Sequence, residues 1–541
     1  MKKQIIALLS LMLVAVIAFS ACATQPNQAG TQQGQAGQQG EAGQQGGQQD
    51  QPGQANDANL RDDVTIAVIS EWASLDPRTA NDLLSFSILG QFFDTLVLPE
   101  RDGTISPGLA THWEVSDCAT EYTFFLREGV LFHNGDTLTA DDVAFSINRA
   151  TANLATSRIT GTIDRAEVVD DMTVTVFLHH PYAPFILCAA QANLAIVSRR
   201  AVEEMGEDAF ARHPVGTGPY VFVEWRPGDR LIMESFPDYW RGQAAITHAT
   251  YRVITDAMTM TVALESGEID MILSVSASER INIVGNPNLV YHTTESASKW
   301  YLAFNMQEGL FAENPDLRRA IAYAINREDI VMGALEGLGY ILYSPLTPDV
   351  FGYPQNFVAT HSNNLERARE LVEEAGFAGH TIVMRTMESP NYAAPAMVMQ
   401  EQLRLAGFDA RVDLMERGAF LEDVFRGGQY ELQFISTTAL VADADFHLFT
   451  RMHSDHRGGG MNFTFTSIPE IDELLERSRL SADPAERIEI YYQLSDLIVN
   501  EYHILVPLYV TMNSAASVAG LGGLEAHSAQ RYFIFDLYWT N

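Results

Sequence analysis

LATHWEVSDCATEYTFFLREGVLFHNGDTLTADDVAFSI, running from Leu109 to Ile147, is a stretch in which almost every residue has a local structural meaning. Trp113 to Val115 and Tyr122 to Leu126 have the composition and alternation of strands, with a turn at Asp117 between them. A second turn falls at His133, Asn134 and Gly135. Thr139 with Asp142 three residues on forms a capping box, its hydroxyl and carboxylate meeting the free N–H groups of a helix that carries Val143, Phe145 and Ile147. Nothing in the stretch resembles a catalytic nucleophile, a metal cage or a phosphate cradle. Its chemistry is that of caps and turns.

Upstream, Val64 to Ile69 is β-branched and apolar and is broken by Asp76 and Pro77, which predicts a buried strand followed by a loop; an apolar helical stretch near Leu83 to Leu96 comes next. Downstream, NPDLRRAIAYAINREDIV places Asn314 as a helix cap, Pro315 at the first helical position and Leu317, Ile321, Ala324 and Ile325 on one face. Two further helices end in EEAGF and RLAGF, with Gly376 and Gly407 past their ends. Each is followed by a short strand, Thr381 to Met384 and Ala410 to Leu414. Helix, glycine stop and strand in succession is the pattern of crossover βαβ units, so this half is expected to be an α/β lobe with its own sheet. The segment Leu505 to Val510 again reads as a strand that would return to the first lobe.

With 541 residues, 47% apolar and 19% charged, the chain is long enough for more than one core and has a globular composition. Its start is different. Lys2 and Lys3 precede an apolar run from Ile5 to Phe19, shorter than the ~20 residues a membrane span needs and proportioned like an export leader. Phe19, Ser20 and Ala21 stand before Cys22 much as in a lipobox, so residues 1–22 read as a lipoprotein signal with Cys22 as the lipidated residue. Residues 23–59, mostly Gln, Gly and Ala, cannot bury enough apolar area to order; a tether of that length spans about 30 Å as a random coil. A lipid anchor and a leash imply a protein held at the outer face of a cytoplasmic membrane. The net charge of −35 opposes binding to nucleic acid and anionic headgroups. Beyond the leader the sole lysine is Lys299. Cys118 and Cys188 are either two separate thiols or a bridge, and the sequence supplies no geometry to choose.

The stretch from Leu109 to Ile147 closely resembles the signature of the family 5 extracellular solute-binding proteins, the dipeptide and oligopeptide receptors of ABC importers. SLDP (Ser74 to Pro77), GTGPY (Gly216 to Tyr220), WRPG (Trp225 to Gly228), LESGEIDM (Leu264 to Met271), LRRAIAYAINRE (Leu317 to Glu328) and IPEIDELL (Ile468 to Leu475) are similar to family blocks in the family's order. Cys118 and Ala119 depart from it, standing where an Asp is normally followed by Gly. The resemblance implies an α/β, two-lobed, periplasmic-binding-protein-like (type II) fold with an extra subdomain. Lobe I would hold 60–296 and 506–541, its subdomain about 98–214, and lobe II 297–505. The implied function is capture of small peptides, or of another solute such as nickel, an oligosaccharide or a glutathione-like molecule, for delivery to an ABC permease by a monomeric receptor. No cofactor is implied.

Three places would supply ligand contacts. Glu71, Trp72 and Ser74 follow the first strand, at the end where α/β sheets present ligands, although Trp72 is also suited to packing under a loop. Lys299, Trp300 and Tyr301 lie where the chain crosses into lobe II: the lysine would grip a ligand carboxylate unless it is simply solvated, and the aromatics would wall the pocket. In peptide-binding members a DPD-type segment meets the peptide's amino terminus, and here Asp443 or Asp445 would fill that role. His447, His453 and His456 raise a nickel reading, but no preformed ligand set is visible, and metal is not expected. HExxH, GxSxG, a Walker loop and CxxC are all missing from the sequence, which argues against the common enzyme classes.

Overall fold

Two long strands, Leu289–Phe304 and Leu505–Val518, lie side by side in the middle of an eleven-stranded sheet, in a computed structural model that describes residues 61–540 apart from 81, 101–103, 154–155, 439–440 and 525–531. The expected leader, Cys22 and tether lie outside the described residues. On one side of the pair come Met271–Ile272, Asp63–Val68, His248–Val253, Arg230–Ser235 and Tyr220–Arg226; on the other come Leu432–Thr438, Thr381–Met387 and Asp409–Met415, and the eleventh strand, Gly339–Ile341, pairs with Leu505–Val518 off this path. Each half of the sheet has its own hydrophobic cores, and the two long strands belong to both halves. The fold is thus a two-lobed α/β fold of the type II kind.

The long strands pair antiparallel, but not in one register. Leu289 to Glu295 faces Met512 to Val518 within the first lobe, Lys299 to Ala303 faces Leu505 to Val510 within the second, and the ladder slips between Glu295 and Lys299. An irregularity of this kind bends the strand and frees backbone groups, which suits a crossing between lobes. The expected boundary at 296/297 falls inside the slip. The one at 505/506 falls at the start of a strand whose first part still pairs within the second lobe, so the return crossing comes after Val510.

Local signals work as the residue types dictate. Helices Leu365–Glu374 and Pro390–Leu405 are followed by Gly376 and Gly407 at φ +76° and +107°, and the strands after them, Thr381–Met387 and Asp409–Met415, pair parallel along their length. Pro315 opens its helix as expected, but Asn314 caps by position only: its side-chain amide donates to the Leu310 carbonyl at 2.7 Å instead of accepting from the helix. The apolar stretch after Pro77 gives a helix over Leu83–Phe92, shorter than the pattern suggested.

The subdomain is a four-stranded antiparallel sheet in the order Ala110–Val115, Glu121–Leu126, Thr173–Leu178, Ile163–Asp170, covered by helix Ala140–Thr151. Tyr122, Phe124, Val143, Ile147 and Val174 build its core. The capping box is formed, with the Thr139 N–H donating to Asp142 Oδ2 at 3.1 Å. Ala119, where the family has Gly, takes φ +51°, a left-handed conformation that costs a side chain about 1 kcal/mol. Cys118 is exposed, Cys188 is buried, and both thiols are free.

GTGPY is a packing motif. A Cβ on Gly218 would come within 2.4 Å of the Phe92 backbone, and Thr217 Oγ1 donates to buried Asp94 at 2.9 Å. Tyr239 and Trp240 also donate to Asp94, at 3.0 and 2.9 Å, so this buried carboxylate is satisfied on both oxygens.

Candidate functional site

Strand alternation separates the residues at the crossing. In Leu289–Phe304 the odd residues Lys299, Tyr301 and Ala303 turn toward one face and Ser298, Trp300 and Leu302 toward the other, and Ser436 and Thr438 of the neighbouring strand share the second face. On that face lies a cavity of about 470 Å³. Leu83 and Ala277 of lobe I, the crossing residues Ser296 to Ser298 and Thr511 to Asn513, and Trp300, Glu336, Asn391, Ser436 and Thr438 of lobe II are among its lining. Two smaller cavities, about 70 and 210 Å³, are built from lobe I residues alone, around Phe533, Asp536 and Arg241. A site that reports lobe closure needs both lobes, and the large cavity has them.

The cavity lining mixes neutral hydrogen-bonding residues with apolar ones such as Leu83, Leu335, Leu338 and Met512. Ser298 and Thr438 hydroxyls meet at 2.7 Å across the strand pair, and the Tyr392 hydroxyl meets Ser436 at 2.6 Å. Trp300 is 5% exposed and packed among Tyr392, Phe434 and Tyr509 at centroid separations of 4.6, 5.2 and 5.7 Å. Its indole N–H is buried and has no protein partner. Glu336 is the one charged residue among the described lining residues.

The other face is where Lys299 goes. It is fully buried, its Nζ donating to the Ala297 carbonyl at 3.3 Å and lying 3.5 Å from His447 Nε2. Burial lowers its pKa to about 7, with Asp349 opposing the shift and Arg451 adding to it. Burial, helped by Lys299 and Arg451, holds His447 well below the usual imidazole range. Arg451 Nη2 donates to the Thr438 carbonyl at 3.0 Å. Two basic side chains thus bond the Ala297 and Thr438 carbonyls, while Lys299 itself is absent from the lining residues. Tyr301 is on this face too, its hydroxyl donating to the Pro345 carbonyl at 2.7 Å.

Asp443 and Asp445 are paired within the protein. Asp443, fully buried, caps helix Ala444–Met452 and receives Arg487 Nη2 at 2.7 Å; burial opposes the Arg487 charge, but the carboxylate outweighs it and the guanidinium pKa is raised. Asp445, 1% exposed, receives both Arg479 Nε and Nη2, at 2.6 and 2.9 Å, and the Tyr182 hydroxyl at 3.0 Å. Tyr182 belongs to the lobe I subdomain. With the Ala183 N–H donating to the Arg479 carbonyl at 3.0 Å, and Val441 and Phe446 joining the subdomain core, it ties the subdomain to lobe II. In this conformation both carboxylates already have cationic partners, so an amine anchor at either would have to displace an arginine.

The first-strand candidates also have protein partners. Glu71 accepts from Trp225 Nε1 and the Gly228 N–H at 2.9 and 3.1 Å, Trp72 is buried against Trp225 at 5.6 Å, and Ser74 Oγ accepts from the Asp76 N–H at 3.0 Å. Asp76 in turn pairs with Arg149 of the subdomain helix at 2.6 Å, which explains the SLDP block as a joint between subdomain and lobe. His453 stacks on Phe449 at 4.5 Å, and among the described residues no group of three His, Cys, Asp or Glu is placed to hold a metal ion.

Of the sequence candidates, then, Trp300 is the one that reaches the large cavity. Ser436, Thr438, Asn391, Glu336 and the Thr511–Asn513 segment are the residues sequence reasoning missed. The detectable signals were two polar residues on one face of a strand end, and an acidic residue between Leu335 and Gly337 where a helix stops.

The pattern of the bacterial extracellular solute-binding proteins, family 5 Middle, matches residues 104–459. Over 474 residues the chain is 30% identical to the glutathione-binding protein GsiB of Salmonella typhi, covering 85% of this chain and 91% of that one. Among solved structures it is similar to the periplasmic binding protein DppA of Helicobacter pylori in complex with the peptide STSA, with 27% identity, TM-score 0.68 and coverage of 89% of this chain and 98% of that one. AgaA of A. tumefacien, in complex with agropinic acid, gives 26% identity, TM-score 0.67 and coverage of 88% and 99%. Among the described residues no helix is long and apolar enough to cross a membrane. With the match spanning well over half the chain, a two-lobed sheet joined by two long strands, and a cavity where the lobes meet, the protein belongs to the family 5 bacterial extracellular solute-binding proteins, receptors that work with ABC transporters.

Proposed function

We propose that this receptor captures small peptides and presents them to an ABC permease, working as a lipid-anchored monomer attached through Cys22 at the outer face of the cytoplasmic membrane. The observation that carries the peptide reading is the cavity at the lobe crossing. It is faced in part by hydroxyls and amides, walled by an aromatic, and flanked by the slip in the ladder between Glu295 and Lys299. A peptide main chain offers alternating donors and acceptors to such a surface, and pairing with it is independent of side-chain identity. Contacts from both lobes would exist only in the shut form, so binding would shift the open–closed balance. In this reading Trp300 walls the ligand, while Lys299, Asp443, Asp445, Glu71, Trp72, Ser74 and Tyr301 shape the cleft from behind.

A second reading follows from the similarity to GsiB, whose name gives glutathione as its ligand: a glutathione-like solute in place of an ordinary peptide. Thermal unfolding of the purified protein with di- to pentapeptides, glutathione, maltotriose and Ni²⁺ separates the readings. The true ligand class is expected to stabilise the fold by about 2.7 kcal/mol at a hundred times its dissociation constant. Stabilisation by maltotriose or Ni²⁺ with none by any peptide would remove the peptide assignment.

A further inference from the structure

Four aliphatic side chains reach the large cavity from three separate parts of the chain. Leu83 is the first residue of helix Leu83–Phe92 in lobe I, where Asp82 caps the helix by accepting from the Ser85 N–H at 2.8 Å. Leu335 and Leu338 come from the turn that ends helix Arg327–Ala334 in lobe II, and Met512 comes from the crossing strand. That turn is held at both ends. The Leu335 and Gly337 N–H groups donate to the Val331 carbonyl at 3.2 and 3.0 Å, the Leu338 N–H donates to the Leu335 carbonyl at 2.8 Å, and Gly339 then pairs opposite Thr511. A Cβ at 339 would come within 3.0 Å of Leu335 Cδ1, so glycine there lets the leucine lie close against the strand. All four aliphatic side chains are half-buried. A lone half-exposed leucine is ordinary, but several converging on one concave surface mark a wall that a ligand covers.

The polar side of the cavity is partly satisfied from within. The Ser298 and Thr438 hydroxyls bond each other, as do those of Tyr392 and Ser436. A ligand that engages them exchanges one hydrogen bond for another, with little net gain. No basic residue is among the described lining residues and Glu336 is the one acid, so a ligand side-chain carboxylate meets no counter-charge there. The aliphatic area, in contrast, still faces water, and covering it is favourable in proportion to its extent. We propose that the cleft selects peptides by an aliphatic or aromatic side chain, which Leu83 of lobe I and Leu335 and Leu338 of lobe II enclose over Met512, an inference that rests on the peptide reading above. The enclosing residues belong to different lobes, so the gain from covering an apolar side chain adds to the balance in favour of the shut form. Main-chain pairing ignores side-chain identity, and this wall restores a preference at one position of the peptide. A glutathione-like solute, with two carboxylates and no large apolar group, suits the wall poorly.

Titration calorimetry of the purified protein tests this, with trialanine, the three tripeptides that carry one leucine among alanines, their three aspartate counterparts, glutathione and maltotriose as probes. At one position leucine is expected to bind about tenfold or more tightly than alanine, and aspartate at that position no more tightly than alanine. Leu338→Asn and Met512→Gln place polar groups of similar size at residues that belong to none of the hydrophobic cores. Each is expected to lower the leucine-to-alanine ratio about threefold or more while trialanine affinity stays within about twofold, whereas a loosened fold would lower both affinities alike. Equal affinities for trialanine and every leucine peptide overturn the proposal and leave the peptide reading standing. So does an unchanged ratio in both variants, or glutathione binding as tightly as the best leucine peptide. Binding of maltotriose with no binding of any peptide removes the peptide reading and this proposal with it.

Discussion

Two regions of lobe II handle charge in opposite ways. Around helices Ala444–Met452, Pro469–Leu480 and Pro484–Asp496, two carboxylates are sealed from water and each is matched by an arginine. In the cavity beside Trp300 the described lining is hydroxyl, amide, aromatic and aliphatic, with a single acid, Glu336. A buried carboxylate without a partner costs several kcal/mol, so charges that fold inward must bring counter-ions with them. Neutral groups in an open cleft carry no such demand, and Ser298 with Thr438 and Tyr392 with Ser436 satisfy one another without a counter-ion. The acidic residues of the conspicuous motif are thus engaged within the protein in this conformation, while polar residues at strand ends line the cavity.

The sharpest way to break this contrast is to remove one arginine. Arg487→Ala leaves Asp443 buried beside Tyr491 without its cation and is expected to lower stability by about 3–5 kcal/mol in urea denaturation. Replacing both members, Asp443→Leu with Arg487→Met, should recover most of that loss. If Arg487→Ala were neutral, the sealed-pair description would be wrong.

Lys299 gives the next largest effect, and it depends on pH. Its folded pKa, near 7, lies below the unfolded value near 10.5, so between those values the unfolded chain binds more protons and stability rises with pH. Below pH 7 the buried site must accommodate the charge and the full penalty applies. Lys299→Met is expected to abolish this rise, changing the difference between pH 7 and 9 by about 2–3 kcal/mol relative to the parent. Superimposable pH–stability curves for parent and variant would place the ammonium in a wetter site than the structure gives it.

Tyr182→Phe probes the tie between the subdomain and lobe II. Losing one hydroxyl bond to a buried carboxylate should cost about 1.5–2 kcal/mol and leave Arg479 in place on Asp445. Amide exchange in 179–191 should rise with it, and an unchanged exchange pattern would mean that the hydroxyl is not holding the lobes. Trp300→Phe has the smallest effect on folding, under about 1.5 kcal/mol, because an aromatic remains among Tyr392, Phe434 and Tyr509. Ligand affinity should fall severalfold, and an unchanged affinity would mean that Trp300 does not wall the ligand.

Much of the architecture was legible because it rests on short-range rules. The capping box at Thr139 and Asp142, the glycine stops at Gly376 and Gly407, and Pro315 at a helix start each act within one turn of the chain, and each formed as read. Asn314 failed as a side-chain cap because the preceding turn offered its amide the Leu310 carbonyl first. The site was less legible for a different reason. Which face of Leu289–Phe304 meets the cavity depends on how its ladder slips at Glu295 to Lys299, and that slip is set by two partner strands far away in sequence. One residue of shift exchanges Lys299 for Trp300.

The sequence by itself determined the family, the α/β grammar of the second lobe and the local form of the subdomain, since turns, caps and periodicity are decided by neighbours a few residues apart. Only the tertiary structure decided that Asp443 and Asp445 answer to Arg487 and Arg479, that Lys299 turns inward while Trp300 faces the cavity, and that Glu336 stands unpaired at its edge. Electrostatic partners and cavity walls are assembled across hundreds of residues, and burial alone determines whether a charge meets water, a counter-ion or a ligand.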